Sequence, residues 1–474
     1  MSGADGVPDG LATASPSPYT EPAFMTDLLD QSPLLALAER LVAAAKKAGA
    51  DAADAVAVRS ISLSVEVRDG KVEETERAEG DDVGLRVLVG RKQAVVSTND
   101  LKGNGADALA ARAVAMARVA PDDKFAGLAD PALLAHDFPD LDLIDPTLPD
   151  VGALERQARA AENAALAVKG VAKSGGASAG AGIGGMVLVT SHGFRGAYVG
   201  SRHSLSAMAI AGAGTGMERD YDFSSALHGA DLEAAEAIGR SAGERAVRRL
   251  NPRKVETRRA PVVFDPRVAG SLVGHLASAI NGAAIARKTS FLKDRMGERI
   301  FPAGIRIIDD PLRKRGLRSH PFDGEGVGGR RLAVIDDGTL KSWFLDSATA
   351  RELSLTTTGH AARGVSSSPS PSPTNLHLEP GKSSPGALIA AIKDGFYVTD
   401  LIGTGANLVT GDYSRGASGL WIENGELTYP VSEVTIAGHL NDMFAALEPA
   451  DDLVFKYGTN APTVRVEGLT VAGT

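Results

Sequence analysis

Residues 261–296 constrain the fold more than any other stretch. They open as an unbroken apolar run, Pro261-Val262-Val263-Phe264, closed by Asp265-Pro266. β-branched and aromatic residues running into a turn signal predict a buried strand. Behind the turn, Val268, Leu272, Leu276, Ala279, Ile280 and Ala283 recur at three- and four-residue steps, which places one apolar stripe along a helix. Asp265 suits the N-cap and Pro266 the first helical position. His275 falls on the flank of the stripe, in line with Ser271 and Ser278, where a neutral imidazole is expected to satisfy a structural hydrogen bond.

Upstream, residues 1–30 are rich in Gly, Pro, Ser and Asp and read as a disordered tail. A helix is expected over 32–48, then strands at 55–67, 72–78, 83–89 and 93–97. Asp69-Gly70 and Gly90-Arg91 suit hairpin turns, so these strands form an antiparallel sheet. Helices follow at 106–119, 151–168 and 232–250, with weak strands between 171 and 210. Beyond Met296 the pattern is largely β, with strands expected at 305–308, 332–336, 340–345, 374–378, 396–401, 408–410, 419–423, 426–430, 454–456 and 464–466. Short helices are expected at 348–354 and 440–447. The fold class is α+β, with an antiparallel sheet and helices over 31–255. A β-dominated domain with one long helix at its start covers 256–474.

The chain has no Cys, which excludes a disulfide framework and thiolate zinc ligands. A net charge of −9 argues against nucleic acid or an anionic membrane as the main partner. No apolar run approaches membrane-span length and the N-terminus lacks a signal-peptide pattern, so the expected location is cytoplasmic.

Several motifs mislead. Gly176-Ala177-Ser178-Ala179-Gly180 matches a nucleophile elbow, but the poor helix formers behind it deny the helix that an elbow needs. The G-x-G-x-x-G matches at 180–185 and 324–329 run into strands instead of helix N-termini, and are expected to be turns. None of the nine His residues is followed by Glu, so no His-Glu metalloprotease motif is present.

A set of longer matches points elsewhere. Lys288-Thr289-Ser290-Phe291, Phe322-Asp323-Gly324-Glu325-Gly326, Thr357-Thr358-Gly359-His360 with Arg363-Gly364, Pro371-Ser372-Pro373-Thr374-Asn375, Val409-Thr410-Gly411-Asp412 and Ile422-Glu423-Asn424-Gly425 occur in this order. In these residues the chain resembles the TldD/PmbA family, in its TldE (PmbA) branch. The TldD branch carries His-Glu-x-x-x-His on the helix discussed above, two imidazoles holding zinc and the Glu serving as general base. Counting back from Gly282 and Thr289-Ser290, those places fall here on Val273, Gly274 and Ser278. The Cys ligand that TldD proteins supply before the last strand has no counterpart in 456–462.

The resemblance implies a non-catalytic subunit of a cytosolic TldD–TldE metallopeptidase that cleaves unfolded or extended peptides. No cofactor is expected in this chain, and zinc is expected in a TldD-like partner. The strand at 374–378 and the loop before it are candidates for lining a peptide channel, an extended peptide pairing with an exposed strand. His360, Arg363, Asn375 and His377 are the candidate polar contacts; the alternative is that they only cap sheet edges. A second class stays open: a stand-alone hydrolase or peptide-binding protein.

Overall fold

In the computed structural model, which describes residues 29–100 and 105–473, the N-terminal half is built on one antiparallel six-stranded sheet. The expected tail falls almost wholly outside the described residues. Helix α1 (Ser32–Lys47) leads into β1 (Ala52–Arg68), β2 (Lys71–Val89) and β3 (Lys92–Thr98). Helices α2 (Gly105–Val119) and α3 (Val151–Leu166) precede β4 (Val171–Thr190), β5 (Arg195–Ala211), β6 (Glu218–Ala226) and α4 (Ala235–Arg248). The strand order is β3-β2-β1-β4-β5-β6.

All four helices cover the same face. Ala53, Ala55 and Ala57 of β1 pack with α1 and α2, while Val65 and Val67 pack with α3 and α4. These residues are all odd-numbered, and side chains two apart share a face of the sheet.

Three strands of this sheet differ from expectation. Residues 72–89 form one strand through Gly80 and not two, because β1 pairs with it from Ala52 to Arg68. The Gly/Ala run, expected as weak strands and turns, lies inside the 20-residue β4. There Gly180, Gly182 and Gly185 sit in register between β1 and β5, and pairing on both edges outweighs the poor strand propensity of Gly. A Cβ at Gly182 would stand 2.6 Å from the Ile61 carbonyl, so the close approach itself requires Gly. β6 was not anticipated.

The C-terminal half begins with β7 (Arg258–Phe264) and α5 (Pro266–Ala279). Asp265 caps α5 by accepting from the Arg267 N–H at 3.0 Å. The helix stops short of Ala283, because the Asn281 side chain accepts from the Ala283 N–H and opens a new helix, α6 (Gly282–Ala286). After these come β8 (Ile307–Asp309), β9 (Leu332–Asp336), β10 (Thr339–Leu340), α7 (Ser347–Glu352), β11 (Ala361–Ala362) and β12 (Ser370–Pro371). Next are β13 (Leu376–Leu378), α8 (Pro385–Ala390), β14 (Asp394–Ile402), β15 (Asp412–Glu423) and β16 (Glu426–His439). The chain ends with α9 (Leu440–Ala445), β17 (Leu447–Pro449), β18 (Thr459–Asn460) and β19 (Val464–Ala472).

One C-terminal sheet runs β16-β15-β14-β7-β19-β17, and a further pairing of β16 with β19 closes five of its strands into a ring. A second runs β10-β9-β8-β13-β18. The largest apolar core lies among these sheets and the buried side of α5. The expected strand at 408–410 is a turn, because the Asn407 side chain accepts from the Val409 N–H at 3.0 Å. Residues 454–456 are likewise irregular, held by Asn460 Oδ1 accepting from the Lys456 and Tyr457 N–H groups. Among the described residues no helix is long and apolar enough to cross a membrane.

Candidate functional site

The helix-free face of the N-terminal sheet meets the C-terminal half along β6, where Tyr457 stands edge-on to Phe223 at 5.4 Å and Arg267 lies over the Tyr221 ring at 4.3 Å, and again across β1 and β4. There Val56, Leu188 and Phe194 pack against Phe322 and Val327. Asp323 holds the turn behind Phe322, accepting from the Glu325 and Val327 N–H groups at 2.9 Å and from Ala361 at 3.0 Å. Burial and the neighbouring Glu325 carboxyl both push the Asp323 carboxyl up. The Phe322–Gly326 motif is therefore one fastening between the two halves.

A buried ion cluster sits beside it. Asp54 accepts from Arg86 Nε at 2.9 Å and Nη2 at 2.5 Å, and from Arg363 Nη1 at 2.6 Å. Burial alone would raise the Asp54 carboxyl, but the charges of Arg363 and Arg86 hold it below the usual carboxylate range.

Past this contact the face opens into a cleft. Its floor is small, with Gly184 and Gly200 below, and the loops at 316–320 and 372–374 stand over it. The innermost cavity, about 150 Å³, is lined by Tyr198, His320, Phe322, His360 and Arg363. It adjoins one of about 460 Å³ that shares Tyr198, His320 and Thr374 and adds Arg202 and Arg318. A third, of about 390 Å³, shares Arg202 and Arg318 and reaches Arg267, Gly270 and Ser271 at the start of α5. Burial pushes the Tyr198 phenol up to about 12.

Two of the four expected contacts line this cleft. His360 is 1% exposed; its Nδ1 lies 2.9 Å from the Thr358 carbonyl, while its Nε2 has no hydrogen-bond partner. The nearest acid, Asp309 Oδ1, stands 3.5 Å from that nitrogen. The Arg363 side chain is fully buried, and its Nε and Nη2 have no partner.

The other two act elsewhere. Asn375 accepts from the Arg318 N–H at 2.9 Å and donates to Ser319 Oγ at 2.8 Å, so it shapes the loop that carries Arg318 and His320. His377 packs edge-on to Phe455 at 5.0 Å. Their strand, β13, is paired on both sides, with β8 and β18, and all three of its residues are buried. It has no free edge for a peptide. Tyr198, Arg202, Arg318 and His320 were not anticipated. The one sequence signal for them is the alternation of Ser and Gly along β1, β4 and β5, which marks a sheet face with no apolar layer on it.

On α5, Val273 is 2% exposed and packed in the core, Gly274 has no side chain, and Ser278 Oγ donates to the Gly274 carbonyl at 2.9 Å. Among the described residues no group of three or more His, Asp or Glu is placed to hold a metal. These residues do not fit a zinc ion. His275 Nε2 is buried without the hydrogen bond expected of it, and the ring stands edge-on to Tyr413 at 5.8 Å. Burial, and then the Arg415 charge, lower the imidazole to about 4, so it is neutral at pH 7.

Comparison with known proteins agrees with this architecture. Models of PmbA/TldA metallopeptidase domain 1, central domain and C-terminal domain match residues 53–117, 143–250 and 257–473. The metalloprotease PmbA of Escherichia coli O157:H7 is 38% identical over 426 residues, 89% of this chain and 92% of that protein. A crystal structure from Bacteroides thetaiotaomicron, named as a candidate modulator of DNA gyrase, superposes with a TM-score of 0.86 at 29% identity, covering 94% of this chain and 99% of that one. TldE from Thermococcus kodakarensis shares the fold, with a TM-score of 0.81 at 20% identity over 92% and 99% of the two chains.

Proposed function

Because this chain belongs to the PmbA/TldD metallopeptidase family, we propose that it is the non-metal subunit of a TldD–TldE-type peptidase acting on unfolded or extended peptides in the cytoplasm. The observation that carries this reading is α5. At the family's metal places it presents a core valine, a glycine and a serine turned onto its own backbone, while a formed cleft opens at the N-terminal end of the same helix.

In this reading the TldD-like partner supplies the zinc, which activates water for attack on the peptide bond. This chain's residues bind and orient the substrate. The small floor admits an extended backbone, the loop held by Asn375 stands over it, and the mouth opens at Arg267 and Ser271. The four helices on the far face keep the sheet rigid, so the floor stays in place when a peptide enters.

Co-expression with a homologue that carries His-Glu-x-x-x-His tests the proposal. Hydrolysis of an unfolded peptide is expected from the pair and from neither chain alone at matched concentration. Hydrolysis by this chain alone, after removal of any tag, would replace the reading with a stand-alone hydrolase.

A further inference from the structure

The chain is acidic, with a net charge of −9, yet its cleft is not. Among the described residues no Asp or Glu lines any of the three adjoining cavities, whereas Arg202, Arg267, Arg318, Arg363 and Lys456 do. These cations differ in what is left for a ligand. Arg267 is bonded to Asp220 at 2.7 Å, and Lys456 to Asp222 and Glu233 at 2.9 Å each, so their charge is matched from behind. Arg202 and Arg318 are exposed, and among the described residues their side chains have no carboxylate or hydrogen-bond partner. Further in, Arg363 spends one nitrogen on Asp54 and keeps Nε and Nη2 without partners.

Buried N–H donors without partners are unfavourable, and a guanidinium fork is matched best by the two oxygens of a carboxylate. The unpartnered donors run from the middle of the cleft to its inner end, over a floor of Gly. We infer that the cleft selects acidic peptides: Arg202 and Arg318 receive Asp or Glu side chains, and Arg363 Nε and Nη2 receive the innermost carboxylate. The inference rests on the channel reading above and names its substrate class. Arg and Lys also bind phosphodiesters, but the inner cavity of about 150 Å³, bounded by Tyr198 and Phe322, accommodates a carboxylate and not a phosphate with its base. Asp309, 3.5 Å from His360, limits that end to a ligand that bonds the Arg363 nitrogens directly.

The test is fluorescence anisotropy with the purified full chain and labelled, unstructured twelve-residue peptides of three matched compositions: Glu-rich, Gln-rich and Lys-rich. The Glu-rich peptide is expected to bind at least tenfold tighter than the Gln-rich one at low salt. That advantage should shrink as added salt screens the exposed Arg202 and Arg318. The double variant R202Q/R318Q should lose at least tenfold on the Glu-rich peptide, keep its affinity for the Gln-rich one and melt like the parent. Amidating the C-terminus of the Glu-rich peptide separates the sources of the innermost carboxylate. A loss assigns that end to the chain terminus, and no loss assigns it to a side chain.

Equal binding of Glu-rich and Gln-rich peptides would overturn the inference and leave the channel reading standing. Failure of all three peptides to bind would remove the channel reading as well. A thymidine oligonucleotide that binds tenfold tighter than the Glu-rich peptide would assign the cations to phosphate and overturn the inference.

Discussion

Asp54 and Arg363 lie 309 positions apart in the chain and meet at 2.6 Å, both side chains closed off from water. With Arg86 on the other carboxylate oxygen, Asp54 bridges two guanidinium groups, and Glu325 and Asp346 act on Arg86 from further off. Asp54 ties β1 to the segment that also lines the cleft, so the position of Arg363 depends on it.

Asp54→Asn removes the anion bonded to both guanidinium groups and leaves Arg363 and Arg86 buried without it. Breaking a buried pair from one side costs about 3–5 kcal/mol, and urea unfolding should report a loss of that size. A change below about 1 kcal/mol would mean that water reaches the cluster. The pH dependence has a definite sign. The folded-state carboxyl is held below its unfolded value, so its contribution is complete above about pH 4 and is lost as pH falls through the lowered value. The variant should therefore show a flatter acid limb than the parent.

Two glycine substitutions should act in opposite directions. A Cβ at Gly84 would lie 1.8 Å from the Val365 carbonyl oxygen, backbone against backbone between the two halves. Gly84→Ala should destabilise by at least about 1–3 kcal/mol, the usual scale for overpacking. Gly274, in mid-helix, has nothing within 4 Å of its would-be Cβ. Gly274→Ala should stabilise by about 0.5–1 kcal/mol. Thermal melts of the two variants beside the parent check both.

His275→Gln should leave hydrolysis by the reconstituted pair within a few fold of the parent, since the imidazole faces Tyr413 and no metal donor set. Its linkage to protons is the sharper readout. The folded-state imidazole is lowered to about 4, so the unfolded chain takes up a proton first as pH drops below about 6.5, and the native state loses stability down to about pH 4. The Gln variant lacks that loss. Whatever it costs at pH 7, the gap to the parent should narrow at pH 5; a gap that stays constant would mean an imidazole with an ordinary pKa.

Purified without a His tag, the chain should carry far less than one zinc by elemental analysis. About one zinc per chain would require a donor set that Val273, Gly274 and Ser278 do not provide.

Local signals made most helices and hairpins legible. Asp69 and Gly70 take positive φ values of 50° and 71°, as a tight hairpin turn between β1 and β2 requires. The strand–helix unit at Phe264–Pro266 was equally plain, and only its far end was misjudged, where Asn281 starts a new turn. What escaped were strands whose stability comes from neighbours. β4 is too rich in Gly to announce itself, and its register is set by β1 and β5. The site was legible by halves. His360 and Arg363 stand in a family motif, whereas Arg202 and Arg318 come from a strand and a loop that only tertiary packing brings to one cleft. β13 looked like an exposed strand because its sequence does not record that β18 would cover its other edge.

The Ser- and Gly-lined floor also bears on how the chain is made. The N-terminal sheet is complete at Ala226, when more than half of the chain has yet to leave the ribosome. Until Phe322 and Arg363 arrive, its helix-free face looks onto water. A face of Val and Ile would expose a broad sticky surface for that whole interval, and nascent domains with such surfaces aggregate. Here the apolar part is split between the patch around Val56, Leu188 and Phe194 and a small one at Tyr221 and Phe223, with Ser and Gly between them. The residues that let an extended chain lie in the finished cleft thus also let the half-made protein wait.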